Sequence, residues 1–179
     1  LFNTSFYPNR SEGSCYEYKK LALASTHGKA QIDSEARWQK FCNAKLFRAA
    51  DIYDPGRNAF DWLLNDTARI IEHWEHLFNR IHRDDLSRLI VHCLLRDLNG
   101  DSVPPTLIGA DHDTTPTHEI EDWLAGQLGL TLNRPTEGGP VRANRRCANK
   151  LFAEIGFTLD YPTWREGYQA TILSQADHA

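Results

Sequence analysis

The chain has no methionine, no Cys-x-x-Cys pair, no glycine-rich phosphate loop and no long apolar run. A membrane-spanning helix needs about 18–20 consecutive apolar residues, and no stretch of the 179 comes near that. A structural zinc site needs ligands at short spacing, whereas Cys15, Cys42, Cys93 and Cys147 are scattered. A chain of this length can bury a core without disulfides, so reduced thiols and a cytoplasmic setting are expected. Neither G-x-G-x-x-G nor G-K-[ST] occurs, so the sequence shows no grip for a nucleotide pyrophosphate. Its 20 Lys and Arg are interspersed with 24 Asp and Glu, for a net charge of −4. No basic stripe results, and neither nucleic acid nor a membrane is an expected partner. Methionine is missing even at position 1, and the chain opens abruptly on the apolar LFNTSFYP. That is expected of a segment whose natural beginning lies upstream, with a trimmed mature form as the alternative.

What is present describes an ordinary globular chain, 41% hydrophobic and 25% charged, enough for one domain with a core. Leu1–Tyr7, halted by Pro8, reads as a strand. Asn9–Tyr18 reads as a loop, with the run from Tyr16 and Glu17 to Lys20 at the surface. Lys29–Asn43 has helical spacing, with Ile32, Ala36, Trp38 and Phe41 as its apolar side. Lys45–Ile52 is a strand, and Asp54-Pro55-Gly56 punctuates the turn Tyr53–Asn58. Ala59–Ile71 is expected to be helical and Leu77–His82 extended. Asp85–Leu98 is the clearest helix, closed by Asn99-Gly100. Pro105–Gly109 is a strand. Thr115-Pro116 has the chemistry of a helix start, for a helix that stops at Gly129. Leu132–Val141 is loop, Arg142–Ile155 helix and Phe157–Leu159 extended. Thr163-x-x-Glu166 is a capping-box pattern, opening a last helix to about Leu173. Alternating strands and helices imply an α/β fold with parallel pairing. The helix-rich second half reads as a smaller lobe.

The stretch FNRIHRDDL, Phe78–Leu86, concentrates chemistry where an extended segment meets a helix. His82 and Asp84 point to one side of an extended chain, but no third ligand is near, and no metal is expected. On local grounds Asp84 or Asp85 caps the helix, where both favour its positive end. Arg80 and Arg83 are expected in solvent or in local pairs. Asp111, His112, Asp113 and His118, around the next helix start, read as caps and solvated groups.

Four segments, in this order, resemble the carboxyl-terminal part of an extended short-chain dehydrogenase/reductase. More narrowly, they resemble the atypical, NAD-dependent epimerase/dehydratase-like members. NTSFYP (Asn3–Pro8) resembles the strand ending in a valine-tyrosine-glycine turn. FRAADIYDPGRN (Phe47–Asn58) is similar to the arginine-x-x-x-isoleucine-tyrosine-glycine-proline-glycine segment. FNRIHRDDL resembles asparagine-arginine-isoleucine-histidine-valine-aspartate-aspartate-leucine. RANRRCANKLFAEIGFTLDYPTWREGY (Arg142–Tyr168) is similar to the terminal pattern that ends in tyrosine-proline-x-x-arginine-glutamate-glycine.

The resemblance implies the carboxyl-terminal part of a Rossmann-like, doubly wound parallel sheet with a helix-rich substrate lobe. Residues 1–58 would hold the remaining strands and crossover helix, and 59–179 the last core elements interleaved with the lobe. It implies NAD or NADP as cofactor, with the main binding motif upstream of Leu1, so that the segment alone would bind cofactor poorly and be inactive. The implied reaction is hydride transfer to or from a sugar-like or small carbonyl or hydroxyl substrate, in a protein that could form a homodimer. The family's chemistry uses a serine or threonine, a tyrosine and a lysine, in which the tyrosine moves the proton and the lysine lowers its pKa. Aligned on Ser34-Glu35, the tyrosine and lysine positions fall on His27 and Gln31. The hydroxyl position falls on Asn3, with Thr4 and Ser5 beside it. Thr4 is the candidate hydroxyl, and Asn3, Thr4 and Ser5 are the residues implied to touch the cofactor. His27 has the near-neutral pKa of an acid/base group, and Lys29 is off register. Tyr7, Arg48, Tyr53, Arg57, Asn58, Asn79 and Arg80 are implied to line the substrate cleft. The altered triad leaves a second expectation open: a non-catalytic NAD(P)-binding sensor or scaffold of the same fold.

Overall fold

A computed structural model describes residues 2–4, 7, 14–17, 26–42, 44–64, 76–132 and 145–176. In chain order its elements are β1 (Phe2–Asn3), β2 (Ser14–Cys15), α1 (Thr26–Cys42), β3 (Leu46–Ala49), β4 (Asp51–Tyr53), α2 (Ala59–Leu64), β5 (Leu77–Phe78), β6 (Arg80–His82), α3 (Arg83–Leu98), β7 (Thr106–Gly109), β8 (Thr115–Pro116), α4 (Thr117–Leu128), β9 (Arg146–Cys147), α5 (Leu151–Ile155) and α6 (Trp164–Ala176). The fold is α/β. Strand β3 pairs in parallel with β1 on one side and β7 on the other. Past Ala50 the chain continues as β4, which pairs in parallel with β6. Two short ladders flank this frame, β2 with β9 in parallel and β5 with β8 antiparallel.

Side-chain alternation along the strands sorts the helices into two layers. Phe47 and Leu107 pack with Leu89 and Cys93 of α3 and with Phe152 and Ile155 of α5. Their neighbours Arg48 and Ile108 face the other way. Arg48 reaches Glu35 of α1, and Ile108 joins Tyr7, with Ile32 of α1 packed against them. Helices thus cover both faces of the parallel sheet.

Several expectations need correction. The first strand is short, because β1 ends at Asn3. Helix α1 starts at Thr26 rather than Lys29, and its expected apolar side is largely exposed: Phe41 is 85% accessible and Trp38 53%. Helix α3 buries Leu86, Leu89 and Cys93, but Ile90, Val91, Leu94, Leu95 and Leu98 face solvent. The expected helix over Arg142–Ile155 is helical only from Leu151 among the described residues, because Arg146 and Cys147 pair with Ser14 and Cys15 instead. Thr115-Pro116 does not open α4. Those residues form β8, and α4 begins at Thr117 without a side-chain cap. Part of Ala59–Ile71 and of Leu132–Val141 lies outside the described residues.

Three polar groups expected at the surface are buried. Glu17 is 7% accessible, and its carboxylate accepts the Ile108 N–H at 3.3 Å, so it satisfies an edge donor of the sheet. Asp111 is 4% accessible, and its carboxylate accepts the Asp113 N–H. Arg80 is 6% accessible. The cap of α3 is His82, whose Nδ1 accepts the Asp84 N–H at 3.2 Å. Asp85 instead latches α3 to the segment before α6 by accepting the Asp160 and Tyr161 N–H groups at 2.8 and 2.9 Å. The capping box at Thr163 is present in one half, with Glu166 accepting the Thr163 N–H at 2.7 Å. Among the described residues, no helix is long and apolar enough to cross a membrane.

Candidate functional site

Ligands of open α/β sheets bind beyond the carboxyl ends of the parallel strands. There, the β4–β6 pair, the turn after β4 and helix α6 enclose a cavity of about 80 Å³. Asp51, Tyr53, Arg57, Asn58, Arg80 and Tyr168 line it. The turn is built locally. Gly56 has φ 89°, a left-handed conformation that favours glycine. Asp61 accepts the Gly56 N–H at 2.7 Å. Asn58 caps α2 by accepting the Asp61 N–H at 3.0 Å and donates to the Asp54 carbonyl. Asn58 therefore shapes the wall with a side chain already engaged.

Arg80 gives the cavity its charge. Its guanidinium lies 4.7 Å from the Phe78 ring centroid and shares the cavity wall with Tyr168. One of its terminal nitrogens, Nη1, is buried without a partner among the described residues. The Tyr168 hydroxyl accepts the Ala59 N–H at 3.3 Å, and its ring stacks on Tyr53 at 4.8 Å. Burial raises the pKa of both tyrosines. Asp111 donates its N–H to the Arg80 carbonyl at 2.7 Å. Burial pushes its carboxyl up to about 8, although Arg80 pulls the other way.

A second constellation lies on the α1 face. Arg48 makes a bidentate pair with Glu35 at 3.0 and 2.6 Å, and its Nη1 donates to the Tyr7 hydroxyl at 2.8 Å. Burial pushes Tyr7 up to about 12. Thr4 gives its carbonyl to Arg145 at 2.8 Å, and its hydroxyl meets the Cys147 thiol. Asn79 clamps the neighbouring strand: its Oδ1 accepts the Cys147 N–H and the Thr114 hydroxyl, and its Nδ2 donates to the Arg145 carbonyl. Residues 27 and 31 fall one turn apart in the amino-terminal part of α1. Asn3 lies in β1, and Ser5 lies outside the described residues.

The structure thus brings Tyr53, Arg57, Asn58 and Arg80 to one cavity. It places Tyr7 and Arg48 in the α1-side network and Asn79 in the clamp. Sequence reasoning missed Tyr168, Asp51 and Asp111 as neighbours of Arg80. The signal for Tyr168 was its place two residues after Glu166 in TWREGY, where Gly167 lets Tyr53 approach: a Cβ at residue 167 would overlap the Tyr53 hydroxyl.

The backbone matches solved structures over nearly its whole length. A protein of NAD-dependent epimerase/dehydratase type from Methylobacillus flagellatus matches 98% of the chain with a TM-score of 0.78 and 22% identity. The chain has the fold of the NAD-dependent epimerase/dehydratase-like short-chain dehydrogenase/reductases. A conserved protein of unknown function from Silicibacter pomeroyi shares this epimerase/dehydratase-like fold over 98% of the chain, with a TM-score of 0.82 and 26% identity. The dTDP-glucose 4,6-dehydratase DesIV from Streptomyces venezuelae, solved with NAD and TYD bound, does so over 97%, with a TM-score of 0.75 and 15% identity. The chain spans 63%, 64% and 57% of the lengths of these three proteins. No protein-family model matches the sequence, and no curated protein matches it.

Proposed function

We propose that the chain forms the substrate side of an NAD(P)-dependent oxidoreductase of epimerase/dehydratase type, acting on a sugar-like or small carbonyl or hydroxyl substrate. The observation that carries this reading is the polar cavity beyond the carboxyl end of β3, lined by Tyr53, Arg57, Arg80 and Tyr168. In it Arg57 and Arg80 would orient substrate oxygens, and Tyr168, held by the Ala59 N–H and the stacked Tyr53 ring, would keep a hydroxyl at a set position. The fit to NAD or NADP is partial. Thr4 directly follows β1, where the family resemblance implies contact with the cofactor, but the sequence carries no glycine cradle for a pyrophosphate. When bound, the cofactor would supply or accept the hydride. The free thiols of Cys15, Cys42, Cys93 and Cys147 suit a cytoplasmic setting. A homodimer is the assembly we favour, because Trp38 and Phe41 leave an apolar face of α1 uncovered.

A second reading, a non-catalytic NAD(P)-binding sensor or scaffold, is favoured by one feature: histidine and glutamine stand at 27 and 31 where the family pattern has tyrosine and lysine. Nicotinamide absorbance across a panel of carbonyl substrates separates the two. Hydride transfer that disappears in His27→Phe supports catalysis by an unconventional acid/base group. Cofactor binding with no transfer on any substrate supports the sensor.

A further inference from the structure

We propose that the cavity between β4, β6 and α6 is a subsite for an oxyanion group, a carboxylate or phosphate carried at one end of the ligand. Naming that ligand the substrate rests on the oxidoreductase reading; the subsite does not. Two guanidinium groups, Arg57 and Arg80, line the cavity. The ion pairs of this region bypass them: Arg83 pairs with Asp54 and Asp84, and Arg88 with Asp85 and Asp160. Arg80 Nη1 is buried and has no partner among the described residues. A guanidinium stays protonated at physiological pH, and a buried cation with an unmade hydrogen bond carries a desolvation cost. A bound anion offsets that cost with charge-assisted, planar hydrogen bonds.

The nearest carboxyls do not already serve this role. Asp51 and Asp111 lie near Arg80, but neither forms an ion pair with it among the described residues: Asp51 is open to solvent, and burial favours the neutral form of the enclosed Asp111. Size then selects the ligand group. About 80 Å³ is several times the ~15 Å³ that one ordered water needs. It is far below the ~300 Å³ at which pockets for drug-sized ligands begin. One ionic headgroup fits, with the rest of the ligand outside.

The test is a titration of the 179-residue chain with sodium acetate and, separately, with inorganic phosphate at constant ionic strength. Acetamide is the neutral control. The readout is the NMR Nε–H signals of Arg57 and Arg80. Saturable shifts with acetate or phosphate, but not with acetamide, are expected, and the tighter anion identifies the group. Arg57→Gln changes an exposed turn residue and should weaken binding roughly tenfold. Shifts that stay linear with both anions, or an affinity unchanged in Arg57→Gln, would overturn the subsite. Saturable binding by the chain, with no hydride transfer by the protein as its gene encodes it, would instead remove the oxidoreductase reading and leave the subsite standing.

Discussion

Gly167 and Tyr53 meet where α6 crosses the cavity wall, and the contact leaves no room for a methyl group. Gly167→Ala should therefore destabilise the fold by about 1–3 kcal/mol, measured by urea unfolding, and should displace Tyr53 from Tyr168. Asp111 supplies a pH signature. Its folded pKa, about 8, lies above the ordinary value of 3.8. Between those values the unfolded chain has released a proton that the folded chain keeps. Stability should fall as pH rises through this window, by at most about 1.4 kcal/mol per unit. Asp111→Asn should remove that slope in unfolding curves taken across the window. His82 acts oppositely, since burial lowers its pKa and its contribution to stability rises with pH. Neither Asp111 nor Glu17 could be recognised as buried from sequence. Each sits in a polar run, and only the return of a distant segment, the β6 edge for Asp111 and β7 for Glu17, encloses it.

At the scale of elements, helix α1 is held to the sheet by a charge pair as well as by apolar packing. Arg48 and Glu35 are both nearly inaccessible and joined by two hydrogen bonds. Arg48→Met leaves the Glu35 carboxylate buried and alone, and should cost about 3–5 kcal/mol. The double variant Arg48→Met/Glu35→Leu should recover much of that loss, which a double-mutant cycle in urea would measure. Legibility was uneven at this scale. The helix over residues 83–98 and the strand over residues 106–109 follow from period and punctuation, and Gly129 and Gly156 stop their helices at φ 66° and 68°. The segment before Leu151 failed because strand pairing of Cys147 with Cys15 overrides a helical pattern that has no local competitor. Thr115 failed for a related reason. Its hydroxyl donates to Asp113 and accepts the Trp164 indole N–H, and so is not a helix cap.

Over the whole molecule, parallel pairing was readable from the alternation of strands and helices, and helices on both faces from the four family-like segments. The cavity was readable in part, through DIYDPGRN and FNRIHRDDL. Its third wall, from α6, was not, because nothing local links residue 168 to residues 53 and 80. The uncovered apolar side chains Trp38 and Phe41 on α1 should drive association. Sedimentation velocity should show concentration-dependent self-association, weakened about tenfold or more in Phe41→Lys. On the proposed reading, the cavity at the carboxyl end of the sheet receives the substrate of a nicotinamide-dependent reaction. Steady-state nicotinamide oxidation, with the protein as its gene encodes it, tests this most directly by comparing Arg57→Gln with the unaltered protein. Hydride transfer to a carbonyl substrate is expected, with KM raised roughly tenfold in the variant and kcat largely kept. Turnover with an unchanged KM would contradict it.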